Sequence, residues 1–200
     1  MSRAFTLVEV LTTVGIFTVI IAAVAAFEAN VFSYQGNASA SFTALQDSEA
    51  ILRTMAKEVR SMSPGNDGSY ALQSAGTSTL TFYADTNGDG KKERIRYSLI
   101  GSSLFRASAI PTGSPLTYTG IAESTSTLMN NVKNSSSTPV FDYFTGAYAG
   151  TTTGALVQPV TPTSVRLIRM TVSLDVDPNR SPLPRTYSTE ATLRNLKDNL

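Results

Sequence analysis

The sequence predicts an α+β protein in which a long N-terminal helix precedes a head built on an antiparallel β-sheet. Three observations lead to this fold class: an apolar segment that runs to Phe27, a stripe of apolar residues behind it, and period-two alternation after residue 68. A helix buries side chains that recur every three or four residues, whereas a half-buried strand alternates apolar and polar side chains. The change of period therefore separates a helical first part from a β-rich second part.

The first element carries one carboxylate at the head of an otherwise apolar segment. Between residues 10 and 27 the only polar side chains are Thr12, Thr13 and Thr18. This length is about enough to cross a bilayer core of roughly 30 Å as a helix. Glu9 would then lie in or near lipid, where an ionised group costs on the order of 2.5–3.5 kcal/mol and needs a partner. The nearest cation is Arg3, and a cut before Phe5 would create a second one, its α-amino group.

A signal anchor or a secretory signal peptide is the alternative interpretation of this segment. Arg3 would be its charged flank, and a cut at Ala26 would release the rest as a free exported domain. Neither device explains why a carboxylate, Glu9, stands at the head of the apolar span.

The residues around Glu9 resemble the class III signal of type IV prepilins and type II secretion pseudopilins. That signal has a short basic leader, a small residue, Phe-Thr-Leu-Val-Glu and an apolar helix, as found here from Arg3 onward. The resemblance implies that a prepilin peptidase cuts between Ala4 and Phe5 and methylates the new N-terminus, although the family usually has Gly at the position of Ala4. It also implies that Glu9 neutralises the N-terminus of the adjoining subunit.

Signal and periodicity together divide the chain into four parts. Residues 1–4 form the leader that is removed, and residues 5–28 form the membrane-spanning helix of the filament core. Residues 29–63 continue this helix, and residues 64–200 form a β-rich head like that of type IV pilins.

The continuation of the helix is predicted to be amphipathic. Its apolar stripe consists of Phe42, Leu45, Leu52, Met55, Val59 and Met62. Charged residues between them, including Glu49, Arg53 and Glu58, suit a solvated face. The helix should end before Pro64, because Pro disfavours helix in the residue before it and the following glycines favour turns.

Six segments of the head alternate apolar and polar side chains and are predicted strands. They cover residues 79–83, 94–99, 103–107, 140–144, 168–176 and 187–194. Such strands most simply form an antiparallel sheet packed on the apolar stripe of the helix. Residues 111–139 and 146–164 are predicted to be long loops.

Three short segments of the head, residues 81–97, 139–144 and 192–195, are similar to minor pseudopilins of the J type. The resemblance implies a minor structural subunit of a type II secretion pseudopilus or type IV pilus. A major type IV pilin, or a subunit of a DNA-uptake or adhesive pilus, is the alternative. The implied partners are other pilin or pseudopilin subunits, the prepilin peptidase, the inner-membrane assembly platform and the cytoplasmic membrane. Arg3 would face the cytoplasm, with the head outside.

One segment of the head has the pattern of a metal site. Oxygen-bearing side chains alternate and are followed by Gly90, as at the start of a calcium loop, where a hard cation needs closely spaced oxygens on a turning chain. The candidate ligands are the side chains of Asp85, Asn87, Asp89 and Glu93 and the main-chain carbonyl of Lys91. An EF-hand would place its bidentate Glu at Arg96. Without an ion, the Asn-Gly and Asp-Gly pairs make a β-hairpin turn. The expected cofactor is therefore none, or one structural calcium ion.

Composition excludes several function classes. The chain has no Cys and no His, so zinc sites built on them, Cys-His pairs and Ser-His-Asp triads are excluded. The paired carboxylates Asp85 with Asp89 and Asp175 with Asp177 stand where solvated Asp is ordinary, and no enzyme is predicted. Nucleic acid is not an expected partner, because the net charge is only +1. A basic strip that could contact nucleic acid would consist of Lys91, Lys92, Arg94, Arg96 and Arg106.

Overall fold

The computed structural model describes residues 6–148, 150, 154–175 and 184–193. Helix α1 spans Leu7–Arg60 without interruption for 54 residues. Antiparallel strands follow it, so the predicted α+β class is confirmed at this level. The helix predicted over residues 5–28 and 29–63 agrees with the observed one to within three residues at each end.

Eight strands follow the helix in the described part of the chain. They are β1 Leu72–Ala75, β2 Thr79–Ala84, β3 Glu93–Ile100, β4 Ser103–Ala109, β5 Ser124–Met129, β6 Phe141–Phe144, β7 Leu167–Leu174 and β8 Arg185–Thr192, with a 3₁₀ turn at Pro162–Ser164. All six predicted strands are present. Strands β1 to β5 pair in sequence order in one antiparallel sheet, and β6, β7 and β8 pair in another.

The prediction of one sheet is therefore wrong, because the strands divide into two sheets. Backbone bonds outside the strand ladders join the two. The amides of Val140 and Phe141 both donate to the Thr77 carbonyl at 3.0 Å, and the Lys133 amide donates to the Ser173 carbonyl at 2.7 Å.

The prediction of a loop over residues 111–139 is also wrong, because β5 lies within it. This strand is a run of Ser and Thr with mostly exposed side chains, so it offers little apolar alternation. It forms instead because its backbone completes the hydrogen bonding of β4, with Phe105 opposite Thr127.

The last turns of α1 and Met62, just beyond its end, bury the described part of the predicted stripe. Leu52, Met55, Val59 and Met62 are at most 4% exposed, while the side chains of Phe42 and Leu45 lie outside the described residues. One charged residue contradicts the predicted solvated face. Glu58 is mostly buried, with only 13% of its side chain exposed, because two residues of the first sheet bind its carboxylate.

The chain divides into two compact units inside α1. Residues 1–45 form the first, whose described part is helical, and residues 46–200 form the second, which holds the last turns of α1 and all eight strands.

Asp142 on β6 stands opposite Arg169 on β7. Burial raises the pKa of the Asp142 carboxyl, and attraction to Arg169 offsets only part of the rise. Folding therefore favours the protonated form, so this contribution to stability is complete below the ordinary pKa of about 3.9 and is lost as pH rises through the folded pKa. We expect Asp142→Asn to raise the thermal unfolding midpoint at pH 7 and to leave it nearly unchanged at pH 3. A lower midpoint at pH 7 would show instead that pairing with Arg169 outweighs burial.

Candidate functional site

The first half of α1 exposes a continuous apolar surface. Among the described residues, one stretch of helix, Leu7–Ala29, is long and apolar enough to cross a membrane, and none of its most apolar part is buried. Its large apolar side chains between Leu7 and Phe27 are each 50–82% exposed. A patch of this size marks a surface that is covered by lipid or by another protein. A signal sequence near an N-terminus can have the same length and apolar composition.

The threonine hydroxyls of this stretch donate hydrogen bonds to backbone carbonyls of the same helix. The hydroxyl of Thr12 donates to the Val8 carbonyl at 3.0 Å, and that of Thr13 donates to the Glu9 carbonyl at 2.6 Å. Thr18 bonds in the same way to the carbonyl four residues before it. Because lipid offers no hydrogen-bond partners, such internal bonds suit a helix that lies in a membrane or among other helices.

Glu9 and Thr6 form a capping box at the start of α1. The amide and the hydroxyl of Thr6 donate to Glu9 Oε2 at 3.3 and 3.2 Å, and the Glu9 amide donates to Thr6 Oγ1 at 3.3 Å. This Thr-x-x-Glu pattern is a sequence signal for a helix start, and it gives Glu9 a local role in addition to the intersubunit role that the resemblance implies. The donors are neutral, so they hold the carboxylate in place without neutralising its charge. Ala4 and Phe5, the predicted processing residues, lie outside the described residues.

The predicted calcium segment forms the tip of the β2–β3 hairpin. Asp85 Oδ1 accepts the Gly88 amide at 2.6 Å, and Asp85 Oδ2 accepts the Gly90 amide at 3.0 Å. Both glycines have φ near +80°, a conformation that a side chain would strain. Burial acts to raise the pKa of Asp85, but these two amides and the Lys92 charge outweigh it and hold the pKa below its ordinary value.

Three of the predicted ligands meet at this tip. One carboxylate oxygen each of Asp85, Asp89 and Glu93 lie within 4.8 Å of one another. Asn87 instead exchanges hydrogen bonds with Asp89, accepting its amide at 2.9 Å and donating to its carboxylate at 3.2 Å. Lys91 is exposed, and its amide donates to Asp89.

Glu93 is the buried member of this group. It is the first residue of β3 and only 3% exposed. Its Oε2 accepts the amide and the hydroxyl of Thr86 at 2.8 and 3.0 Å. Its Oε1 is buried and accepts no hydrogen bond from the described residues. Glu93 therefore keeps one carboxylate oxygen with unused coordinating capacity at the first residue of β3.

The basic strip considered for nucleic acid faces carboxylates. Arg94 and Arg96 both pair with Glu123, the first at 3.2 Å, and Lys92 Nζ lies 3.7 Å from Asp85 Oδ2. Arg106 pairs with Glu58 at 3.0 Å. Phosphate groups would compete with these ion pairs, so the strip offers less net positive charge than its sequence suggests.

Two further clusters had no signal in the sequence. In one, Glu58 on α1 accepts the Tyr97 hydroxyl at 2.5 Å and the Arg106 Nε at 3.1 Å. In the other, the Arg169 guanidinium lies 4.9 Å from the centre of the Phe144 ring and bonds Glu190 at 3.0 Å. The hydrogen-bonded partners in these clusters lie 21 to 48 residues apart, so no local pattern links them.

No family model matches this chain, and no curated protein matches it significantly.

Proposed function

We propose that this protein is a structural subunit, in particular a minor one, of a type II secretion pseudopilus or type IV pilus. The observation that carries the proposal is Glu9, the only ionisable residue in the exposed apolar helix between Leu7 and Phe27. It follows directly on residues that resemble a class III prepilin signal. Insertion through this helix would place the head outside the cytoplasmic membrane, with Arg3 inside.

The proposed mechanism begins with processing. A prepilin peptidase cuts between Ala4 and Phe5, which leaves a charged amine one residue before Thr6. The capping box then holds the Glu9 carboxylate at the first turn of α1. The rest of the span is uncharged, and its three threonine hydroxyls are satisfied within the helix, so neighbouring helices can bury it completely.

Charge pairing between subunits sets the register of assembly. The Phe5 amine of one subunit and the Glu9 carboxylate of its neighbour attract each other by about 4 kcal/mol at 4 Å and an effective dielectric constant of about 20. Apolar packing alone has no preferred depth along so uniform a helix. The pair therefore selects the one axial offset at which both charges are compensated as the subunit leaves the membrane.

The first experiment measures the N-terminal mass and the abundance of the protein in filaments sheared from its native host, against the membrane fraction. We expect an N-methylated Phe5 terminus and only trace amounts in the filaments. A processed protein that dominates the sheared material would make it a major pilin. An uncut Met1 terminus, or a terminus after Ala26, would contradict the assembly function.

A further inference from the structure

The β2–β3 hairpin contains one buried carboxylate oxygen that has no hydrogen bond among the described residues. Glu93 is 3% exposed, and its Oε1 accepts no hydrogen bond from the described residues. Leaving a buried acceptor without a hydrogen bond destabilises a protein, and the effect is larger when the acceptor is charged. Its other oxygen is already committed to Thr86. The free oxygen therefore points to a ligand-binding site at Glu93.

The surroundings of Glu93 define the charge of that ligand. Carboxylate oxygens of Asp85 and Asp89 lie within 4.8 Å of an oxygen of Glu93. The three acids carry three negative charges when ionised, and the only nearby cation among the described ion pairs is Lys92, 3.7 Å from Asp85. The site retains an excess of negative charge, so the ligand must be a cation that oxygens can coordinate.

We propose that the hairpin binds one calcium ion through the carboxylates of Asp85, Asp89 and Glu93. Calcium takes six to eight oxygen ligands in flexible geometry, including main-chain carbonyls and waters. Asp85 and Asp89 are partly or fully exposed, so waters can complete the coordination from the solvent side. Glu93 closes the site from the protein side, in place of the bidentate Glu of an EF-hand.

Coordination geometry favours calcium over magnesium. One oxygen of each of the three carboxylates lies within 4.8 Å of the others, a separation that Ca²⁺ can bridge because its ligands lie at about 2.3–2.6 Å in flexible geometry. Mg²⁺ demands a near-ideal octahedron with ligands at about 2.0–2.1 Å. The amides of Gly88 and Gly90 hold the Asp85 carboxylate in place, so the flexible coordination of Ca²⁺ suits this site better.

Lys92 competes with the ion. Its ammonium lies 3.7 Å from Asp85 Oδ2, with 28% of the side chain exposed. The side chain can move into solvent when a divalent ion arrives, because its backbone is fixed separately by the bond from its amide to Asn66 at 2.6 Å. Removal of the Lys92 charge should therefore strengthen calcium binding, an effect that a site elsewhere would not show.

The test is a calorimetric titration of Ca²⁺ into the full-length chain, purified in detergent and stripped with EGTA. We expect one site with a dissociation constant on the order of 10⁻⁴ M, as in extracellular calcium modules. The thermal unfolding midpoint, followed by the near-ultraviolet circular dichroism of the tyrosines, should rise with Ca²⁺ and much less with Mg²⁺. No saturable binding at 10 mM Ca²⁺, or equal effects of both ions, would overturn the proposal.

Three variants locate the site. Glu93→Gln should weaken calcium binding at least about tenfold, because affinity depends on the number of charged ligands, and should not lower the unfolding midpoint in EGTA. Lys92→Met should strengthen binding about threefold. Asp67→Asn is the control: the Asp67 carboxylate lies in the neighbouring turn, where it accepts the Ser69 amide. This variant should bind calcium like the wild type. Unchanged binding by Glu93→Gln would overturn the proposal. If that variant does not fold, unchanged binding by Lys92→Met decides against it.

Discussion

Glu9→Gln should insert into the membrane normally but enter filaments at least about tenfold less often than the wild type. Glutamine serves as well as glutamate at the third position of a capping box, so the start of α1 is preserved. The variant lacks only the charge, and with it the attraction to the Phe5 amine of the neighbour. A tenfold loss requires only about 1.4 kcal/mol of pairing energy. Quantitative immunoblots of sheared filaments and membranes from the native host measure the ratio.

Thr6→Val is the matched control for this variant. It removes the hydroxyl that bonds Glu9 at 3.2 and 3.3 Å and keeps the carboxylate charge, so it tests the capping box alone. Loss of a cap costs about 1 kcal/mol of helix stability, which a helix in a membrane tolerates. We expect Thr6→Val to assemble nearly as the wild type does. The opposite result, with Glu9→Gln assembling and Thr6→Val failing, would mean that Glu9 serves only to start the helix.

The helix could be predicted from the sequence because its signals are local. A Pro-Gly stop follows it, and apolar residues recur at helical spacing in its last turns, so both its end and its buried face were readable. Met55 and Val59 are fully buried as their spacing predicts. The capping box at Thr6 and Glu9 is an equally local signal, but a carboxylate at the head of an apolar span also predicts a partner in another subunit, so the sequence does not decide between the two roles.

The second sheet and strand β5 could not be predicted in this way. Which strands pair depends on hydrogen bonds between residues far apart, such as Phe141 with Met170. Strand β5 is formed by Ser and Thr whose exposed faces carry no periodicity. Its place is decided by the free edge of β4, which only the folded sheet provides.

The sequence predicts part of the carboxylate group that the structure brings together, and its function as a metal site stays a prediction. The alternation of Asp85, Asn87 and Asp89 is local, and the structure brings two of these residues together with Glu93. The side chain of Asn87 forms hydrogen bonds with Asp89 instead. The burial of Glu93 was not readable, because it follows from the pairing of this residue with Ala84 across the hairpin.

Glu58→Ala should destabilise the head by about 2 kcal/mol. Removal of one partner from a fully buried ion pair costs about 3–5 kcal/mol, and partial exposure, 13% for Glu58 and 21% for Arg106, reduces this value. Tyr97 adds to the loss, because its buried hydroxyl would keep no acceptor on the helix. Burial together with the Glu58 charge raises the pKa of Tyr97, so it stays a hydrogen-bond donor at any physiological pH. Urea unfolding of the full-length chain in detergent, followed by tyrosine circular dichroism, measures the change.

Glu49→Ala is the control, because the sequence places Glu49 and Glu58 on the same predicted solvated face of α1, and only Glu58 is mostly buried in the structure. Glu49 bonds Arg53 at 2.8 Å, but the two side chains are 49% and 79% exposed, so this surface pair should contribute less than about 0.5 kcal/mol. Tyr97→Phe should cost about 1 kcal/mol. Combined with Glu58→Ala it should add less than that, because both changes remove the same bond. Equal losses of stability in Glu58→Ala and Glu49→Ala would mean that the bonds of Glu58 to Tyr97 and Arg106 do not hold α1 to the first sheet. The apolar stripe of α1 alone would then do so.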